Sequence, residues 1–380
     1  MKPDYGGGSL VNLMASIAQG CGGTTPHATL NTLGPEELRE ARNVVLFIID
    51  GLGDHYLRRR GAGGELLRRR RGAITSVFPS TTATAITTTY TGATPLEHGL
   101  TGWFTYFGEA GCVGAPLPFM IRGEQRSLRA PGVTPATLFT APPLFDSLDV
   151  ACHVVSSSDI VESQYNQRYC AAARRWPYVT TEELVAQIGR AARSGPERKF
   201  IYAYWPHYDR VSHHHGSESE RAFTELRKID AAFGDALRAL AGTESVVIAT
   251  ADHGFVDVAP EESLELPASL AARLRFPLCG ERRVAYCHAY EPQAFMREAQ
   301  DWLGERADVR PSAMLVEEGW FGGGAPHARF DERVGDVALV MRGRYTIKDW
   351  TPGEARFMHI GNHGGTSAEE MTIPLVVATT

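Results

Sequence analysis

Short apolar segments, separated by longer amphipathic stretches, recur along this chain and are the strongest constraint on its fold. A segment that is apolar throughout fits a strand buried on both faces, and alternation of such strands with helices is typical of α/β folds with a largely parallel sheet. The segments that we predict as strands are 44–49, 152–155, 200–204, 246–251, 337–340 and 375–377. No linker interrupts the pattern, so we expect one α/β domain over residues 1–380.

Two other segments have a distinct character. Residues 217–240 carry apolar side chains at helical spacing, and Ser217 followed by Glu220 predicts a capping box at the start of that helix. Residues 257–335 are repeatedly interrupted by proline and by the glycine run 322–324. We predict that residues 257–335 form a smaller cap inserted into the main domain.

The charge balance and apolar content exclude several classes of protein. The net charge is −6, which argues against a broad basic surface for a nucleic-acid polymer. The arginine runs 58–60 and 68–71 are interpreted as solvated helix surface. No segment has the apolar length that a bilayer requires, and the N-terminus lacks the pattern of a signal peptide. We therefore expect no membrane association, a cytoplasmic location and reduced cysteines; the oligomeric state is not indicated.

Carboxylates follow two of the predicted strands. Asp50 comes directly after 44–49, and Asp252 with His253 closes 246–251. In open α/β folds the carboxyl edge of the sheet is where ligands bind. Aspartate followed closely by glycine is also a common turn, so Asp50 alone leaves a purely structural role open.

Histidines add candidate nitrogen ligands to these carboxylates. Asp209 is followed four residues later by the triplet 213–215, and His363 lies in a glycine loop near the end of the chain. Such oxygen and nitrogen donors suit zinc or manganese better than calcium. Spacing alone does not say which histidine binds, because His207 and His359 are competitors.

A cluster of hydroxyl side chains follows Pro79. Ser80, Thr81 and Thr82 predict a helix start, and Gly92 predicts its end. A threonine at a helix N-terminus lies beside free N–H groups, which would stabilise an alkoxide or a phosphate. The alternative is that these hydroxyls only cap the helix.

Taken together and in order, these motifs resemble the alkaline phosphatase superfamily, and they are most similar to the branch of type I phosphodiesterases and nucleotide pyrophosphatases. The resemblance extends over nearly the whole chain, and it implies a three-layer α/β/α sandwich with a central, largely parallel sheet. It also implies two divalent ions, zinc or alternatively manganese. One would be held by Asp209, His213 and His363, and the other by Asp50, Asp252, His253 and the nucleophile Thr82.

The resemblance implies hydrolysis of a small phosphodiester, including nucleotide pyrophosphate bonds, through a phosphothreonine. Two positions depart from the nucleotide pyrophosphatase pattern: Ala83 replaces an aromatic residue, and Trp103 lies near the position of a phosphate-binding asparagine. Trp103 could instead contact substrate, with the aromatic group 103–107 forming an apolar pocket or packing in the core. Phosphonate, phosphomonoester or sulfate ester hydrolysis, or metal binding without catalysis, are the alternatives.

Overall fold

The structure, a computed structural model, describes all residues 1–380 and contains eighteen strands. In chain order they are β1 Asn43–Ile49, β2 Arg70–Thr75, β3 Thr105–Phe107, β4 Cys112–Ala115, β5 Met120–Ile121, β6 Ala151–Ser157, β7 Arg174–Tyr178, β8 Lys199–Trp205, β9 Ser245–Thr250, β10 Val256–Asp257, β11 Ser263–Glu265, β12 Cys279–Gly280, β13 Val284–Cys287, β14 Ala307–Pro311, β15 Val337–Met341, β16 Thr346–Lys348, β17 Gly361–Asn362 and β18 Thr372–Thr379.

Sixteen α-helices connect the strands, and none is both long and apolar enough to cross a membrane. They are α1 Leu10–Gly20, α2 Glu36–Arg39, α3 Asp54–Arg60, α4 Glu65–Arg68, α5 Thr82–Thr91, α6 Pro95–His98, α7 Pro135–Leu138, α8 Gln164–Tyr169, α9 Thr181–Ala192, α10 His207–His215, α11 Glu220–Ala239, α12 Ala268–Ala271, α13 Pro292–Leu303, α14 Ser312–Glu317, α15 Phe330–Val334 and α16 Ala368–Met371. Short 3₁₀ turns occur at Leu144–Ser147, Pro260–Glu262 and Gly304–Arg306.

The main sheet has seven strands in the order β2-β18-β9-β1-β8-β6-β7. The five strands from β9 to β7 are parallel, whereas β18 runs antiparallel to both of its neighbours. Every residue of β1, β8 and β9 is buried, because helices cover both faces of the centre of the sheet. Five of the six predicted strands lie in this sheet, which confirms the predicted α/β fold.

Helices pack on both faces of the sheet and make the fold a three-layer sandwich. Phe47 of β1 contacts Phe233 of α11, and Tyr202 of β8 contacts Tyr90 of α5. Phe47 pairs in register with Ala203, the residue after Tyr202. Side chains alternate along a strand, so the two aromatic contacts lie on opposite faces.

The predicted helix 217–240 is present, but its start was placed too early. Helix α11 begins at Glu220, and its N-cap is Ser219, whose hydroxyl accepts the Ala222 N–H. The Ser217 hydroxyl donates instead to Asp257 at 2.8 Å. Ser217 therefore bonds to a residue distant in sequence and does not cap the helix.

A second, four-stranded antiparallel sheet has the order β12-β13-β15-β14, and we call the region that contains it the cap. It has its own apolar core of 14 buried residues, separate from the main core of 72. The predicted segment 337–340 is strand β15 of the cap and does not belong to the main sheet. It also lies beyond residue 335, so the predicted cap segment 257–335 contains three of the four strands.

A buried ion pair joins the cap to the main domain. Arg283 of the cap donates through Nε and Nη2 to the two carboxylate oxygens of Glu370, each at 3.0 Å, and both side chains are almost fully buried. Arg283 Nη2 also donates to the Gly343 carbonyl at 2.8 Å. Glu370 in turn accepts the Gly365 N–H at 2.8 Å, and its carbonyl accepts the Gly254 N–H.

Replacement of Arg283 by methionine is expected to lower the free energy of unfolding by about 3–5 kcal/mol, because the Glu370 carboxylate would be left buried without its counter-ion. Urea unfolding followed by circular dichroism measures the change. Arg238, which is 74% exposed and pairs with Asp235, is the matched control, and Arg238→Met should leave the midpoint nearly unchanged. Equal effects of the two substitutions would contradict this role of Arg283.

Candidate active site

Three aspartates converge at the carboxyl edge of the three central parallel strands. Asp50 follows β1, Asp252 lies two residues after β9, and Asp209 lies in α10, which begins directly after β8. Strand β1 lies between the other two, with Ile49 in register with Trp205 and Ile48 in register with Thr250. The topology of the sheet therefore brings together carboxylates that are up to 202 positions apart in the chain.

Asp209, His213 and His363 form one group of potential metal ligands. Asp209 and His213 lie one turn apart on α10, and His213 Nε2 is 3.3 Å from Asp209 Oδ1. His363 enters from the loop after β17, with Nε2 3.2 Å from His213 Nε2 and 3.6 Å from Asp209 Oδ1. These three ligand atoms lie within 4.8 Å of one another, which is the spacing of donors around one ion.

A second group surrounds His253. Its Nε2 is 3.4 Å from Asp50 Oδ1, 3.5 Å from Asp252 Oδ2 and 3.1 Å from Thr82 Oγ1. Thr82 Oγ1 is also 3.5 Å from Asp50 Oδ1. Asp209 lies close enough to be grouped with Asp50 and His253 as well, and the rings of His253 and His363 stack with centroids 3.7 Å apart. The two groups are therefore adjacent and share one compact site.

Backbone carbonyls set the orientation of two of the imidazoles. His213 Nδ1 lies 2.9 Å from the Gly361 carbonyl, and His253 Nδ1 lies 3.0 Å from the Gly254 carbonyl. A carbonyl can only accept, so each Nδ1 carries a hydrogen, and Nε2 is the nitrogen whose lone pair would face the neighbouring carboxylates in the neutral imidazole. A lone pair facing carboxylate oxygen is unfavourable unless a cation lies between them, and this arrangement is typical of metal-bound histidine.

The electrostatics of the site also fit divalent cations. Burial raises the pKa of Asp50 well above its usual value, and the carboxylates of Asp252 and Asp209 raise it further. Oδ1 of Asp209 and Oδ2 of Asp252 are buried without a hydrogen-bond partner. Burial also lowers the pKa of His363 well below its usual value, which keeps that imidazole neutral. Positive charge at this position would offset the repulsion among the carboxylates, and the neutral His363 is in the state in which an imidazole binds a metal ion.

Thr82 is the first residue of α5, and Thr81 is its N-cap, as the hydroxyl cluster predicts. Of the three candidate hydroxyls, only that of Thr82 faces the two groups. Ser80 donates to the Gly365 carbonyl at 2.8 Å, and Thr81 donates to Glu281 at 2.5 Å. The free N–H groups of the first turn of α5 favour an anion beside Thr82.

The competing histidines lie outside both groups. His207 packs edge-on against Trp205, and the exposed His214 contacts Phe357. His215 is also exposed and lies beside Arg221. His359 is the nearest, with its ring centroid 4.2 Å from that of His213. The structure thus separates His213 and His363 from alternatives that spacing alone left open.

Two side chains that the sequence did not indicate hold the site in place. The Tyr204 hydroxyl donates to Asp50 Oδ2 from the adjacent strand β8. Glu281 of the cap accepts the Thr81 hydroxyl and the Trp103 N–H at 2.8 Å. Tyr204 lies within an apolar strand and Glu281 in an irregular segment, so neither stands out in the sequence.

Thr82 lines two cavities. One, of about 380 Å³, is lined by cap residues that include Leu278, Arg282 and Lys348, and we call it the cap-side cavity. The other, of about 400 Å³, is lined by apolar and aromatic residues such as Ile86 and Tyr165 together with polar ones such as Asn166, and we call it the sheet-side cavity. A larger cavity of about 710 Å³ contains none of the candidate ligands.

Trp103 lines both cavities and is 37% exposed. Of its aromatic neighbours, Phe104 also lines the cap-side cavity, whereas Tyr106 stacks on Phe276 and Phe107 is fully buried. The aromatic group 103–107 is therefore divided between cavity wall and core. Ala83 is completely buried and offers no surface on which a base could stack.

The chain belongs to the type I phosphodiesterase / nucleotide pyrophosphatase family, whose family model matches residues 44–366. This is a class of phosphoester hydrolases within the alkaline phosphatase superfamily, and its members are metal-dependent. No curated protein sequence matches the chain.

Solved structures of two kinds of protein share the fold. Murine ectonucleotide pyrophosphatase / phosphodiesterase 5, in an inactive form with AMP, has a TM-score of 0.65 at 18% identity, over 87% of each chain. The human protein of the same name has a TM-score of 0.64 at 18% identity, over 88% of this chain and 87% of its own. Phosphonoacetate hydrolase from Sinorhizobium meliloti, with phosphonoacetate, has a TM-score of 0.64 at 16% identity, over 89% of this chain and 90% of its own.

Tyr204→Phe is expected to lower the affinity for divalent metal by roughly 10- to 100-fold, because it removes the hydrogen bond that orients Asp50. Competition with a chromophoric chelator measures the affinity. Tyr202→Phe is the control: Tyr202 lies on the same strand, and its hydroxyl is 3.0 Å from that of Thr89, away from the site. If both variants bound metal as tightly as the wild type, Tyr204 would have no such role.

Proposed function

We propose that the protein hydrolyses small phosphodiesters, including nucleotide pyrophosphate bonds, through a phosphothreonine at Thr82. Two divalent ions, zinc or alternatively manganese, would be bound there. Asp209, His213 and His363 would hold one ion, and Asp50, Asp252, His253 and Thr82 the other. The observation that carries the proposal is the position of the Thr82 hydroxyl, which lies 3.1 Å from His253 Nε2 on a residue that lines two cavities.

The chain supplies the nucleophile and the surroundings of the reacting phosphorus. The Thr82 hydroxyl would lose its proton to solvent as its oxygen attacks phosphorus, and the leaving group would depart with the electron pair of its P–O bond. Water would then attack the phosphothreonine, releasing the phosphorylated product and restoring Thr82. When bound, the divalent ions supply Lewis acidity, which lowers the pKa of the hydroxyl and neutralises charge on the phosphoryl oxygens. The N-terminus of α5 would stabilise the same negative charge.

The two cavities favour a diester over a monoester. A phosphodiester has two organic arms, and the cap-side and sheet-side cavities, which both include Thr82 in their lining, provide space for two arms. A phosphomonoester or sulfate ester would leave one cavity without substrate. The structural neighbours were solved with AMP and with phosphonoacetate, so nucleotide and phosphonate substrates are the first to compare.

With zinc or manganese bound, the protein is expected to release nitrophenolate from bis-p-nitrophenyl phosphate faster than from p-nitrophenyl phosphate or p-nitrophenyl sulfate. Absorbance at the nitrophenolate band measures all three rates. Faster hydrolysis of the monoester, of the sulfate or of phosphonoacetate would reject the diester assignment. No hydrolysis of any substrate by the metal-loaded protein would favour a non-catalytic metal-binding role.

Thr82→Ala is expected to lower kcat for the diester by at least about 1,000-fold, because the neighbouring hydroxyls of Ser80 and Thr81 are bonded elsewhere and cannot replace it. Metal content, measured by mass spectrometry of the purified variant, is expected to change little if the carboxylates and imidazoles supply most of the binding. Thr91→Ala, at the other end of α5, is the control and should retain activity. Full activity in Thr82→Ala would exclude Thr82 as the nucleophile.

A further inference from the structure

The cap-side cavity contains charged side chains that the reaction at Thr82 does not use. Three basic residues line it, Arg122, Arg282 and Lys348, together with the acidic residues Glu281 and Asp349. A cavity with mixed charges attracts a charged ligand only if one sign is left without a partner. The hydrogen bonds of each group decide which sign that is.

Apart from Asp209, which belongs to the candidate metal site, the acidic side chains that line the cavity already accept hydrogen bonds. Asp349 accepts Arg122 Nη2 at 2.7 Å through Oδ1 and the Leu278 N–H at 2.8 Å through Oδ2. Glu281 accepts two hydrogen bonds on Oε1, described above. Arg122 is likewise satisfied, because its guanidinium also donates to Glu354 and to the Leu278 carbonyl. Arg122 and its two carboxylates therefore form a closed network.

Arg282 lacks such a partner. Its Nη2 donates to the Phe357 carbonyl at 2.9 Å, and its Nη1 is buried without any hydrogen-bond partner. None of the ion pairs in the molecule includes it. Burial lowers the pKa of Arg282 to about 10, although the more distant Glu281 and Glu354 act in the opposite direction. The guanidinium of Arg282 is therefore shielded from water and forms no ion pair with a carboxylate.

Lys348 adds a second, weakly compensated cation. Its Nζ is 3.5 Å from Glu354 Oε1, an oxygen that already accepts Arg122 Nε at 3.0 Å. Burial lowers the pKa of Lys348 to about 8, and the charge of Arg122 contributes. The ammonium lies over the rings of Trp350 and Phe104, at 4.7 Å and 5.2 Å from their centroids. Arg282 and Lys348 are therefore the two cations on this wall that have no carboxylate to themselves.

We propose that Arg282 and Lys348 bind an anionic group, a carboxylate or a phosphate, on the substrate arm that enters the cap-side cavity. The inference depends on the proposed function, since Thr82 must be the nucleophile for a substrate arm to lie there. The guanidinium fork matches the paired oxygens of either anion, and Lys348 adds a point charge. The substrate class is then a small phosphodiester with a second negative group on one arm and an apolar or aromatic group on the other.

The metal-loaded full-length protein is tested with three diesters that release the same nitrophenolate: p-nitrophenyl phenyl phosphate, its 4-carboxyphenyl analogue and its 4-phosphonophenyl analogue. The wild type is expected to show kcat/KM at least about tenfold higher for a charged arm than for the phenyl arm, the effect of one charge-assisted hydrogen bond. The preferred analogue distinguishes carboxylate from phosphate recognition.

Arg282→Ala and Lys348→Gln are each expected to reduce the preference for the charged arm about tenfold. Arg282→Lys, which keeps the charge, should restore part of it. The matched control is Arg273→Ala, because Arg273 belongs to the cap but is 41% exposed and pairs with Glu298. Arg273→Ala should keep the wild-type ratio.

Equal kcat/KM of the wild type for all three diesters would overturn the anionic subsite and leave the proposed phosphodiesterase activity intact. A parallel loss on all three diesters in Arg282→Ala would overturn it as well. If the wild type hydrolysed none of them, the proposed function would fail, and calorimetry with phenylphosphonate and 4-carboxyphenylphosphonate would decide the subsite. Equal affinities for the two phosphonates would then exclude the anionic subsite. Tighter binding of 4-carboxyphenylphosphonate than of phenylphosphonate, lost in Arg282→Ala, would support it.

Discussion

The crowding of three carboxylates, two buried and one partly buried, at one edge of the sheet is the constraint on which the rest of this site depends. Asp50, Asp209 and Asp252 lie there because β1 is hydrogen-bonded to both β8 and β9. Burial of like charges at such short range costs more free energy than the surrounding hydrogen bonds return, unless cations compensate them. The imidazoles of His213 and His253, held by backbone carbonyls, complete a surrounding suited to divalent ions.

The cap contributes to this arrangement without supplying any candidate metal ligand. The pair of Arg283 and Glu370 connects it to the loops that carry His253 and His363. Glu281 connects it to the start of α5 beside Thr82. The cap also provides one wall of the cavity in which Arg282 lacks a counter-ion. The cap is thus involved both in positioning the reacting groups and in the choice of substrate.

The central fold could be predicted because strands buried on both faces are apolar throughout. The edge strands β2 and β7 could not, since Arg70 and Arg174 begin segments that are polar and only partly buried. Segment 337–340 was recognised as a strand, but apolar character does not say which sheet a strand joins. The ordered motifs predicted which acids and histidines meet, whereas the positioning roles of Tyr204 and Glu281 depend on contacts distant in sequence.

The most direct test of the two-metal site is a crystal structure of the zinc-loaded protein with anomalous diffraction data collected at the zinc edge. The account predicts two anomalous peaks about 4 Å apart. One peak should contact Asp209, His213 and His363, and the other should contact Asp50, Asp252, His253 and Thr82. A single peak, or peaks outside these residues, would contradict the two-metal site.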